Sequence, residues 1–188
     1  VLSSDGYHKI VRTWAYEDLP SSEAWFDENN QPTVTNNTYV KREREYDGAG
    51  NPVAERYYGP DGEKVQSKDG CDEIRRTYNE KKQPIRYEYY REGQLAKLPK
   101  GYAVMIREYD DNGFVAVESY YDEKEEPVLS SNGYHKIVMT WAYEDHPSSE
   151  AWFDVNGQPM VQNNTYVKRE REYDGAGNPV VERYYGSD

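Results

Sequence analysis

Cysteine is almost missing from the 188-residue chain: Cys71 stands alone, which excludes an internal disulfide and a cysteine-based metal cluster. So scarce a residue fits a cytosolic protein or a Gram-positive-type exported one. Leu, Ile, Val and Phe together number 29, too few for an ordinary aliphatic core. With a net charge of −12, that shortage falls where disordered chains are found. No apolar run approaches the roughly 20 residues of a membrane span and no signal-peptide pattern is present, so membrane insertion is not expected. Positive charge is short as well, 23 Lys and Arg against 35 Asp and Glu, which argues against nucleic acid and anionic membrane surfaces as partners. No stretch carries the 3.6-residue periodicity of an amphipathic helix.

What the chain does hold is rings: 20 Tyr and 4 Trp. Each can bury roughly 150–250 Å², so stacked aromatics can replace the missing aliphatic core. The rings recur with two periods. Residues 1–59 match residues 128–186 with eight differences, among them Arg12/Met139, Leu19/His146 and Ala54/Val181, a long period of 127. Within it a short period of about 32 starts units at Tyr7, Tyr39, Cys71, Tyr102, Tyr134 and Tyr166. The units are 7–38, 39–70, 71–101, 102–133, 134–165 and 166–188, the last incomplete, with residues 1–6 as the tail of a preceding unit. The expectation is one repeat array, cut from a longer one.

The most legible unit spans Tyr39–Tyr58. Tyr39–Tyr46 is rich in β-formers and free of Gly and Pro, Asp47–Pro52 clusters turn residues, and Val53–Tyr58 resumes strand character. A second turn follows, as at Asp27–Pro32, Gly59–Gly62, Asp122–Pro127 and Asp154–Pro159, so each unit reads as two strands and two turns. Aligning the units exposes three ring columns. Trp14, Tyr46, Tyr78, Tyr109, Trp141 and Tyr173 end the first strand; Trp25, Tyr57, Tyr89, Tyr120, Trp152 and Tyr184 lie in the second; Phe26, Tyr58, Tyr90, Tyr121, Phe153 and Tyr185 follow them. Setting Tyr46 opposite Val53 places Arg44 opposite Glu55 and Arg42 opposite Tyr57, with Arg107 facing Glu118 and Arg171 facing Glu182.

Chemistry is sparse. Three histidines, His8, His135 and His146, share no fixed Ser or Cys partner, and no catalytic constellation emerges, so no enzyme activity and no cofactor is expected. Paired carboxylates recur once per unit beside an Arg, the mark of a structural or solvating role rather than of glycosidase chemistry. Acidic turns such as Asp110-Asp111-Asn112-Gly113 lack the spacing of a complete Ca²⁺ loop, and Asp, Asn and Gly are what tight turns demand, so no metal site is assigned. Asn36-Asn37-Thr38 and Asn163-Asn164-Thr165 match the glycosylation pattern and read as connections. The rings alone carry a functional reading: aromatic platforms for sugar faces, set in grooves between hairpins, against the simpler reading that they are core. The candidate ligand-binding residues are Trp14, Trp25, Trp141 and Trp152 with Tyr57, Tyr89, Tyr120 and Tyr184.

The segments WFDENNQPTV, YYGPDGEKV and WFDVNGQPMV resemble the aromatic β-hairpin repeats of Gram-positive surface proteins, the choline-binding, glucan-binding and clostridial-toxin repeat families. That resemblance implies a hairpin solenoid binding cell-wall or host glycans between neighbouring repeats. EREYDGAGNPVAERYY is similar instead to the YD repeats of large bacterial surface and toxin-shell proteins, which implies a structural sheet. The expectation is an all-β, elongated, solenoid-like array of tandem β-hairpins of about 32 residues, extracellular or on a bacterial surface. Its partner is a cell-wall or host glycan. The alternatives are a structural or adhesive stalk, with self-association as its partner class, and a toxin-shell segment.

Overall fold

The computed structural model describes residues 2–34, 38–143, 145–163 and 165–187. Asn36, Asn37 and Asn164 of the two Asn-Asn-Thr segments lie outside them. The described residues hold thirteen strands and no helix, in two compact units, Val1–Pro99 and Lys100–Asp188. The first unit contains β1 (Lys9–Tyr16), β2 (Leu19–Phe26), β3 (Lys41–Tyr46), β4 (Pro52–Tyr58), β5 (Glu73–Tyr78), β6 (Pro84–Arg91) and the short β7 (Gln94–Leu95). The second contains β8 (Val104–Tyr109), β9 (Val115–Tyr121), β10 (Lys136–Tyr143), β11 (His146–Phe153), β12 (Lys168–Tyr173) and β13 (Pro179–Tyr185). Within each unit every strand is antiparallel to its sequence neighbour, and the sheet stays open instead of closing into a barrel.

The hairpin register follows the charge pattern. Arg44 lies opposite Glu55 and Arg42 opposite Tyr57; Arg107 faces Glu118 and Arg171 faces Glu182. Their side chains meet, with Nε of Arg44, Arg107 and Arg171 donating to the facing glutamates at 2.9, 2.7 and 3.1 Å. The turn end differs from the simple register. Tyr46 pairs with Pro52, not Val53, because a bulge falls between Glu45 and Tyr46. The turn itself explains it. The Gly50 amide donates to the Asp47 carbonyl at 3.0 Å, Gly50 sits at φ +83°, and the Asp47 amide returns to the Asn51 carbonyl at 3.0 Å, an ordinary turn closed by a left-handed residue that adds one residue to one strand. The Asp47 carboxylate clamps the loop by accepting from the amides of Ala49 and Asn51 at 2.9 and 2.8 Å. Asp27, Asn79, Asp122, Asp154 and Asp174 repeat the clamp, which is why those turns open on Asp or Asn.

Two turns per unit proves one too few. Ser67 and Cys71 close a third, with the Gly70 amide on the Ser67 carbonyl at 2.9 Å, and Ser130–Tyr134 and Ser3–Tyr7 do likewise. At Glu17–Pro20 the turn is shorter than the residue types suggest: Leu19 and Pro20 already belong to β2.

The core is aromatic, as the composition requires, but its rings come from two columns. Tyr39 lies between Trp25 and Tyr57, at centroid distances of 5.8 and 4.7 Å. Tyr120 lies between Tyr102 and Tyr134 at 4.6 and 5.9 Å, and Tyr166 between Trp152 and Tyr184 at 5.7 and 4.8 Å. Tyr39, Tyr102, Tyr134 and Tyr166, which begin four of the units, therefore interleave with the second-strand rings. Cys71 takes the corresponding place in its unit and is fully buried.

The left-handed turn position is filled by Gly50, Gly113, Gly157 and Gly177, but by Asn30, Lys82 and Glu125 elsewhere. A Cβ in that conformation costs about 1–2 kcal/mol. Lys82→Gly is expected to raise unfolding stability by about 1 kcal/mol, and Gly50→Ala, whose Cβ would also meet Leu19 Cδ1 at 3.4 Å, to lower it by about as much; urea denaturation of each variant checks the pair.

Candidate functional site

The two faces of a hairpin carry different chemistry. On one, three of the six second-strand rings place a hydroxyl on the glutamate two residues earlier: Tyr57 on Glu55 and Tyr120 on Glu118, both buried, and the exposed Tyr184 on Glu182 at 2.8 Å. Burial, reinforced by the neighbouring carboxylate, raises the Tyr57 and Tyr120 hydroxyls well above the usual phenol range. The glutamates in turn take arginines from more than one strand. Glu23 receives Arg12 at 3.0 Å and Arg42, with Arg44 at 3.5 Å, so it ties the first hairpin to the second. Glu150 receives Arg169, with Arg171 at 3.8 Å, in the same way; Met139 stands where Arg12 does, and Arg169 binds through both Nε and Nη2. Burial alone would push the Glu23 and Glu55 carboxyls up, yet the arginine and tyrosine donors outweigh it and hold both below the ordinary carboxylate range.

On the other face a cation covers the third ring column. Lys9 lies 4.5 Å from the centre of the Phe26 ring, Lys41 5.3 Å from Tyr58, Lys136 4.9 Å from Phe153 and Lys168 5.2 Å from Tyr185. Lys41 and the Tyr58 hydroxyl both reach Glu43, at 2.5 and 2.9 Å. Burial, then the Glu43 carboxylate, pushes the Tyr58 hydroxyl up to about 12. Between the first and second hairpins this face opens into a cavity of about 270 Å³, lined by Trp25, Phe26, Pro32, Val40, Tyr58 and Pro60 with Lys41 and Glu43. It is apolar on its walls and carries one cation, one carboxylate and one phenol, which are paired with one another.

The eight candidate rings are not gathered into one surface. Trp25, Tyr57, Tyr89, Tyr120 and Trp152 are buried, each 4–8% exposed. Trp141 is half-buried, and Trp14 and Tyr184 are open, at 55% and 53%. The first column does something the residue types did not suggest. Tyr46, Tyr78 and Tyr173 donate their hydroxyls to the carbonyls of Pro20, Pro52 and Pro147 at 3.0, 3.0 and 2.9 Å, and Trp141 donates its indole N–H to Val115 at 2.8 Å. Each reaches 26 residues back, onto the preceding hairpin.

Two further groups escaped the sequence reading. The unit-starting Tyr39, Tyr102, Tyr134 and Tyr166 were visible only as period markers, though recurrence at a fixed position was itself the signal. Glu73 is the other. It is 2% exposed and takes Lys64, Arg75 and Arg56 at 2.5, 2.7 and 3.1 Å. No group of three His, Cys, Asp or Glu among the described residues is placed to hold a metal ion. The Asp residues that open the turns spend a carboxylate oxygen on turn amides.

No family model matches the chain, and no curated protein does. Among solved structures it is similar to a chain of the Photorhabdus luminescens Tc holotoxin pore, at 12% identity and a TM-score of 0.35, over 95% of this chain and 10% of that one. The chain thus spans about a tenth of the length of that neighbour. A likeness of that size assigns no function here.

Glu73 is one source of acid sensitivity in the first unit. Burial would raise its carboxyl, but three cationic donors hold it at about 2, below its ordinary 4.5. A lowered folded-state value means stability that is fully present above about pH 4.5 and lost as pH falls toward 2. Glu73→Gln is expected to cost about 1–3 kcal/mol at neutral pH, since three partly exposed cations lose their shared carboxylate, and to flatten the loss of stability between those two pH values; urea midpoints measured across the range test both.

Proposed function

We propose that the chain is a non-catalytic, load-sharing repeat segment of a bacterial surface or secreted protein, its hairpins stacked as an elongated, solenoid-like array. The observation that supports this reading is where the rings spend their polar groups. First-column rings donate to the backbone of the preceding hairpin, and second-column hydroxyls are held by glutamates inside the sheet. A ring whose face is packed and whose donor is satisfied internally has little to offer a soluble ligand. The resemblance of its hairpin motifs to bacterial surface repeats points to that setting.

A second reading rests on the cavity between the first two hairpins, whose aromatic walls suit a glycan. The two readings part on titration. Tryptophan emission of the chain is expected to stay unchanged across cell-wall and host polysaccharides. A saturable change that Tyr58→Ala abolishes, with the variant still folded, would carry the glycan reading instead. The structural reading also expects Tyr46→Phe and Tyr78→Phe to cost about 1 kcal/mol each in thermal or urea unfolding, through the lost bond to the preceding hairpin.

A further inference from the structure

The chain holds 20 Tyr against 3 Phe. A phenylalanine ring packs as well and brings no hydroxyl to satisfy, so packing alone does not account for the choice. The hydroxyls fix register through their glutamates, and they also give the core a chemistry that phenylalanine lacks, since tyrosine and tryptophan each yield one electron to an oxidant of moderate strength. In the second unit the oxidisable rings form one series. Tyr102 stacks on Tyr120 at 4.6 Å between centroids, and Tyr120 lies 5.9 Å from Tyr134. Tyr134 packs against the buried cluster of Ile137, Trp152 and Tyr166. Trp152 is 5.7 Å from Tyr166, and Tyr166 is 4.8 Å from Tyr184. In the first unit Trp25, Tyr39 and Tyr57 make a shorter run, because Cys71 stands in the next place.

A tyrosine that loses an electron becomes a strong acid, so a buried one is readily oxidised only where a base waits on its hydroxyl. Tyr120 has that base. Its ring is buried and its hydroxyl donates to Glu118, which Arg107 holds at 2.7 Å. The proton can cross that bond and return without leaving the sheet. We propose that the six rings from Tyr102 to Tyr184 form a relay for one-electron oxidising equivalents, entered at the half-buried Tyr134 by an oxygen-centred radical of the peroxyl class and resting on Tyr120. At entry a hydrogen atom passes from the Tyr134 hydroxyl to the peroxyl, which leaves as a hydroperoxide. Tyr120 then gives an electron to the Tyr134 radical, which takes a proton from water, while the Tyr120 proton moves to Glu118. The return reverses these steps: Tyr134 gives an electron back and its proton to water, the proton on Glu118 returns to Tyr120, and a small thiol donates a hydrogen atom to Tyr134 and leaves as a thiyl radical. The relay goes beyond the structural reading above, which stands without it.

Flash oxidation of the whole chain tests the relay, with a photogenerated ruthenium(III) tris-bipyridine complex as oxidant and electron paramagnetic resonance of samples frozen at intervals as the readout. A neutral tyrosyl radical is expected. Tyr120→Phe and Glu118→Gln are each expected to shorten its life about a hundredfold, the lower end of what a positioned base contributes. Tyr134→Phe is expected to remove most of the yield. Tyr121→Phe, whose ring belongs to the third column on the opposite face, is expected to leave both yield and lifetime unchanged. Replacing tyrosine by phenylalanine keeps the ring packing, and circular dichroism with urea midpoints identifies the variants that are folded. The inference is overturned by a native radical that lives no longer than that of folded Tyr120→Phe, by a lifetime indifferent to Glu118→Gln in the folded variant, or by a full yield in Tyr134→Phe.

Discussion

A core built from tyrosine carries one hydroxyl per ring into the interior, and each must find an acceptor there. That constraint organises the rest of the molecule. Tyr57 and Tyr120 solve it with a glutamate two residues earlier, on the same face of the same strand. A buried carboxylate then needs a cation, which Arg44 and Arg107 supply from the facing strand. Where neighbouring hairpins meet, a single glutamate such as Glu23 gathers arginines from both. A composition that would suit a disordered chain, few aliphatics and 31% charged residues, is thus what a folded tyrosine core demands. The charges complete the interior instead of merely solvating it.

The same logic separates the two sides of the sheet. Phe26, Tyr58, Phe153 and Tyr185 of the third column are covered by Lys9, Lys41, Lys136 and Lys168. Rings of the second column are fixed by hydrogen bonds and packing. The cavity between the first two hairpins lies where the two columns meet, with Trp25 from the second and Phe26 and Tyr58 from the third.

Much of this was legible in the residues, and the misses share a cause. Cross-strand pairs such as Arg44 with Glu55 followed from charge alternation about a turn, because a period of two fixes which side chains share a face. The bulge at Tyr46 was hidden because residue types mark a turn without marking its left-handed member, filled by Gly50 in one turn and Lys82 in another. The third turn was hidden for the same reason: Ser67–Cys71 and Ser130–Tyr134 lack proline and sit among loop-forming residues. For the candidate site, a ring in a strand could point to core or to ligand, and sequence does not say which. Only the position of Tyr39 between Trp25 and Tyr57 places those second-strand rings inside. Glu73 was equally unreadable, since its three cations come from three separate stretches of chain.

Among the described residues, no strand in either unit pairs with a strand other than its neighbours in the chain. Interactions made over short sequence separations need little loop closure, so a hairpin can fold on the template of the one before it without waiting for distant segments. Such an architecture is also tolerant of copying. Inserting a duplicate of several hairpins disturbs only the two joints at its ends, and a gene can lengthen the sheet without redesigning it. The near-identity of residues 1–59 and 128–186 is the trace such an event would leave, with Arg12/Met139 and Leu19/His146 as early steps of divergence between copies that began with the same contacts to satisfy.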